Sequence, residues 1–186
     1  IMRNTFFIFC LSLPLLTNAH SPVKTDNTEN QSMQASNVVN AIDPFSATYT
    51  LLHKSDPVGE ATRKLTYLEN GRAIYHYQTD IEWLIFSDKR SETSTLSIQD
   101  GKVTPHHYVY KREGTGRDKF YEWDYQFANK SAKDLVKNRQ ISIERPEGLQ
   151  DKLSYHLQNR LNLINNPEQK RFIYPVISTS GKVKDY

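Results

Sequence analysis

Between residues 72 and 128, apolar and polar side chains alternate with a period of two, interrupted at intervals by glycine-containing turns. No other feature constrains the fold as strongly. Successive side chains of a strand point to opposite faces, whereas a helix repeats every 3.6 residues. Ala73, Tyr75, Tyr77, Ile81, Trp83 and Ile85 fall on one side of residues 72–86, and His76, Gln78, Asp80 and Glu82 on the other. Tyr121, Trp123, Tyr125 and Phe127 likewise oppose Glu122, Asp124 and Gln126, and His106, Tyr108 and Tyr110 share a face in the strand between. Ala47, Tyr49 and Leu51, then Arg63, Leu65 and Tyr67, begin the series, and residues 140–144 extend it. Asn70-Gly71 and Asp100-Gly101 each read as a two-residue hairpin turn, whose central residues need positive φ. Gly114-Thr115-Gly116 is a third, looser turn. The expectation is an antiparallel meander with one aromatic face and one wet face.

One helix interrupts it. Leu149, Leu153, Leu157, Leu161 and Ile164 recur at helical spacing, with Pro146 before them and Asn165-Asn166-Pro167 to stop them. A lone amphipathic helix needs a surface to cover, and the aromatic face supplies it. Residues 171–178 return to strand character, which Pro175 confines to an edge, a bulge or a strand end. The fold class is therefore mainly β: an antiparallel meander forming a curved sheet or incomplete barrel, with one packed amphipathic helix.

The chain ends carry separate information. Arg3 gives a positive start, residues 5–16 (TFFIFCLSLPLL) form an apolar core too short to span a bilayer, and Thr17-Asn18-Ala19 supplies small residues for cleavage. Residues 1–19 read as a signal peptide, and the mature protein is expected in the periplasm with no stable membrane span. Cys10 is the only cysteine; it follows Phe9 inside the apolar core, so neither lipidation nor a disulfide is expected. Residues 20–42 are rich in Ser, Asn, Thr and Gln and read as a flexible linker, with folded structure starting at Ile42-Asp43-Pro44-Phe45. Residues 43–186 form the β-rich domain. The net charge of +3 is too balanced for a polyanion binder, and export removes nucleic acid as a partner. Gly181-Lys-Val-Lys-Asp-Tyr186 reads as a turn followed by a new strand.

Three stretches resemble the domain of unknown function 3108, a family of exported bacterial proteins. Pro44-Phe45-Ser46-Ala47-Thr48-Tyr49 with Val58-Gly59 is similar to its opening strand and turn. Ser91-Glu92-Thr93-Ser94, through Asp100-Gly101-Lys102-Val103-Thr104-Pro105 to Tyr108, is similar to its central hairpin. Leu149-Gln150-Asp151-Lys152-Leu153-Ser154-Tyr155, running to Arg160, is similar to its helix motif. The resemblance implies a periplasmic β-rich domain whose closing strands lie beyond Tyr186. It implies no reaction and no catalytic residues.

The candidate sites follow from these placements. Trp83, Tyr108, Tyr121, Trp123 and Tyr125 are the candidates for lining a ligand cavity: the tryptophans to stack, the tyrosines to orient a polar end. The competing reading is a plain core beneath the helix. Glu92, Asp151, Ser154 and Arg160 are structural polar candidates, with Glu92 expected to pair with Arg160 and Asp151 to cap the helix or bond a neighbouring strand. Glu122 and Asp124 share a strand face at a separation suited to acid/base chemistry, beside Arg117 and Lys119. His106 and His107, adjacent on a strand, are expected to face opposite ways, and no His-x-His spacing occurs, so no metal and no cofactor is expected. The leading functional expectation is a non-enzymatic binding or carrier domain for a lipid or other amphipathic envelope molecule. An envelope-assembly module acting through a sheet edge comes second, and a cell-wall or glycan hydrolase using Glu92, Glu122 or Asp124 comes last.

Overall fold

A computed structural model describes residues 41–186; the leader and nearly all of the linker expected from the sequence lie outside the described residues. Eight strands form one antiparallel sheet in sequence order: β1 (Phe45–His53), β2 (Asp56–Tyr67), β3 (Ala73–Trp83), β4 (Phe86–Gln99), β5 (Lys102–Gly114), β6 (Lys119–Gln126), β7 (Ser131–Asp134) and β8 (Arg139–Ser142). The protein is thus mainly β, as the alternation requires, and the sheet is not closed into a barrel. A single helix, α1 (Ser154–Asn165), and a two-stranded ribbon, β9 (Pro175–Ile177) with β10 (Val183–Asp185), follow. A parallel bridge between Gln150 and Val176 ties the segment before α1 to β9.

The core lies between α1 and the inner face of the sheet. Leu65, Tyr75, Ser94, Tyr108, Trp123 and Asp134 face one another in register across β2 to β7, and all are buried. Leu149, Leu153, Leu157 and Leu161 close over them. Burial of this apolar and aromatic surface drives the packing, at about 25 cal/mol per Å² removed from water. Ile42 is 4% exposed and its carbonyl accepts from the Tyr67 hydroxyl at 2.7 Å, so Ile42 is packed into the folded body.

Four local expectations are corrected. The turn at Asn70-Gly71 is a five-residue connection, with Tyr67 opposite Ala73, because the Gly71 amide donates to the Leu68 carbonyl and the Asn70 side chain accepts from the Arg72 amide. The Asp100-Gly101 turn is the two-residue hairpin expected, with φ of 50° and 71°. The strand expected over residues 72–86 ends at Trp83, and Leu84-Ile85 form a hairpin turn, 84% and 83% exposed. Gly59 lies inside β2 rather than in a turn; a Cβ there would sit 2.0 Å from the Asp80 carbonyl oxygen, so only glycine lets β3 approach. Finally, α1 begins at Ser154, not Leu149: Leu149 and Leu153 pack as apolar side chains of an irregular approach segment.

Candidate functional site

The start of α1 is the most fully satisfied polar cluster in the core. The buried Asp151 carboxylate accepts from the backbone amides of Leu153 at 2.8 Å and Ser154 at 2.6 Å, while the Ser154 hydroxyl accepts from the Asp151 amide at 2.9 Å. This reciprocal arrangement ends the approach segment and opens the helix. The other carboxylate oxygen takes a 2.5 Å hydrogen bond from Ser94 on β4. Asp151 thus holds the first amides of the helix and, through Ser94, fastens its start to the sheet. Burial pushes the Asp151 carboxyl up to about 6, against the pull of its hydrogen-bond donors.

Glu92 has a different partner from the one expected. Its carboxylate accepts from the Tyr108 hydroxyl at 2.6 Å, and Arg160 instead lies with its guanidinium carbon 5.3 Å from the Phe45 ring centre. The reason is lateral: Arg160 projects from α1 over β1, whereas Glu92 sits on β4 beside β5.

The proposed ring-lined cavity does not assemble from its five residues. Trp123 is 1% exposed, with Arg139 stacked 5.6 Å away, and a Cβ at Gly181 would meet its ring at 3.1 Å. Tyr108 and Tyr125 are also buried, and the half-buried Tyr121 packs on Tyr110 at 5.8 Å. These four belong to the core under α1. Trp83 is 42% exposed at the far end of β3, against His53 and Phe86, and does not join them. The strand alternation continues correctly to Trp83, but the helix reaches only part of the face.

Part of that face is left open between α1 and β1–β3. A cleft of about 430 Å³ lies there, within the range of about 300–1,000 Å³ typical of small-molecule sites. Its floor is Phe45 and Tyr75; Leu157, Leu163 and Ile164 of α1 form an apolar wall; Arg63, Arg160, His156 and Asn159 are its polar groups. Burial, reinforced by Arg63, holds His156 down to about 4, so its imidazole is neutral at neutral pH. Burial also raises the Tyr75 hydroxyl, which keeps its proton and can donate. The sequence places Arg63 and Tyr75 on the inner face but does not single them out. The signal was a charged residue at an inward position of an aromatic face.

A larger cleft of about 1,110 Å³ lies along another side of α1, by the Asp100-Gly101 turn. Its amides are committed to structure. The Gln158 side chain accepts from the Val103 amide and donates to the Gly101 carbonyl and to Asn162, while Asn162 donates to the Tyr174 hydroxyl.

The outer face holds the remaining candidates. A β-bulge between Thr95 and Leu96 shifts the register of β5, so the expected opposition of His106 and His107 fails. His106 bonds Ser97 at 3.0 Å and His107 contacts Asp124 at 2.6 Å and Glu122 at 3.4 Å, all on the face away from α1. Glu122 and Asp124 are thus engaged by one histidine and line neither cleft. Among the described residues, no group of three or more His, Cys, Asp or Glu side chains could hold a metal ion, and no helix is long and apolar enough to cross a membrane.

Compared with models of known families, with curated proteins and with solved structures, the chain matches none. The resemblance to the domain of unknown function 3108 gains no support from these comparisons, and no family is assigned.

Proposed function

We propose that this chain is an exported, non-enzymatic binding or carrier domain for an amphipathic molecule of the bacterial envelope, working in the periplasm. The observation that carries the reading is the cleft between α1 and β1–β3. It joins an apolar wall to a polar rim on one side of the sheet. Small-molecule sites combine these features: apolar surface for affinity and a few fixed polar groups for orientation. The leader-like residues 1–19 support export. The ligand site moves from the ring cluster named by the sequence to the opening beside it, because Tyr108, Trp123 and Tyr125 are spent on the core. The hydrolase reading loses its carboxylates, since Glu92 is bonded to Tyr108 and Glu122 and Asp124 face away from α1.

The test is titration of the full chain with N-phenyl-1-naphthylamine, a neutral probe that fluoresces in apolar sites. Saturable enhancement is expected, at least tenfold weaker in Leu163→Asp, which places a charge on the cleft wall. Ile173→Asp, which alters the larger cleft, should leave binding intact. Absence of enhancement, or equal loss in both variants, would reject the cleft as the site.

A further inference from the structure

We infer that the molecule bound in this cleft is an anionic amphiphile, a carboxylate or phosphate headgroup on an acyl chain, clamped between Arg63 and Arg160. The inference rests on the binding reading above and adds the sign of the headgroup.

Four arginines on and around the sheet are neutralised within the protein. Arg90 and Arg112 share Asp88, at 2.8 Å each, and their hydrogen bonds, Arg90's foremost, hold that carboxyl down to about 2. Arg139 pairs with Asp134 at 3.0 Å and Arg145 with Asp185 at 2.9 Å. Arg63 and Arg160, like Arg72, Arg117 and Arg171, have no carboxylate partner among the described residues, and they are the two arginines that line the cleft. No acidic side chain lines it with them.

Each guanidinium also lies over a ring, Arg63 at 5.2 Å from the Tyr77 centre and Arg160 at 5.3 Å from the Phe45 centre. A guanidinium over a ring face is attracted to it, and its planar fork suits bidentate recognition of a carboxylate or phosphate. Arg63 stands on the sheet and Arg160 on the helix, and both line the cleft whose floor includes Tyr75. An anion there would accept charge-assisted hydrogen bonds from both forks, the strongest kind a neutral-pH site offers. His156 adds no third charge, because burial keeps it neutral. The apolar part of the ligand meets Leu157, Leu163 and Ile164, which leaves the two cations as the only ionic contacts.

The experiment compares two fluorescent probes of the same chain, cis-parinarate and its methyl ester, on the full-length protein. The carboxylate should bind at least tenfold tighter than the ester. Arg63→Gln and Arg160→Gln should each weaken carboxylate binding far more than ester binding, and Arg63→Lys should retain part of the difference. Lysophosphatidic acid should displace parinarate, whereas inorganic phosphate alone should not; displacement by inorganic phosphate would replace the amphiphile with a free anion and overturn the stated class. Equal affinity for acid and ester would overturn the anionic headgroup and leave the binding reading standing. Binding of neither probe would overturn both.

Discussion

Asp151, just before α1, and His156, in its first turn, respond to acid in opposite senses. The Asp151 carboxyl is raised to about 6 in the folded protein from an ordinary 3.8, so its contribution is present below pH 4 and is lost as pH rises through 6. A shift of that size is worth about 2–3 kcal/mol. His156 is lowered to about 4 from 6.5, so its contribution is present above pH 6.5 and is lost as pH falls through 4. The two slopes offset each other between pH 4 and 6.5. Asp151→Asn keeps an acceptor for the Leu153 and Ser154 amides and offers Ser94 a donor. Chemical denaturation across that range should therefore show the variant losing stability steadily with acid, while the parent changes less. Identical pH profiles would show that Asp151 titrates normally. The tryptophans give a second contrast at this scale. Trp123→Ala should cost about 3–5 kcal/mol, the range for deleting a buried aromatic, whereas Trp83→Ala at the exposed end of β3 should cost under about 1 kcal/mol.

At the level of elements, the order of strands was legible because period-two alternation survives burial of only one face. Its failures have local causes. The bulge at Thr95/Leu96 turned His106 away from Tyr108, and no residue type in that stretch announces a bulge. The strand end at Trp83 was hidden because Leu84-Ile85 are turn residues of the wrong chemistry: Leu84 takes φ of +54°, where glycine or asparagine is favoured. Replacing Leu84 by Asn should raise stability by a few tenths to about 1 kcal/mol, read from the denaturation midpoint. An unchanged or lower midpoint would mean that Leu84 makes compensating contacts. The helix start was misread because Leu149 and Leu153 keep the apolar spacing while Asp151 and Ser94 decide where the helix begins. Ser94→Ala should cost about 1–3 kcal/mol by stripping a donor from a buried carboxylate, measured by the same denaturation. A neutral result would detach the helix anchor from stability.

Across the whole molecule, one helix covers the middle of an eight-stranded sheet and leaves the β1–β3 end partly bare. That geometry makes a cleft without a closed barrel. The site was only half visible in the sequence. Arg63 and Tyr75 fall on the inner face by alternation, but their meeting with Arg160, far along the chain, depends on where α1 lands. The ring cluster drew the ligand reading toward residues that pack beneath the helix instead. Hydrogen–deuterium exchange of the full chain, with and without saturating N-phenyl-1-naphthylamine, tests the central claim most directly. Bound probe should slow exchange in the edge strand β1 and in the second half of α1, and leave residues 100–104 and 146–149 unchanged. Protection confined to those latter segments, or no protection anywhere, would contradict the cleft as the binding site.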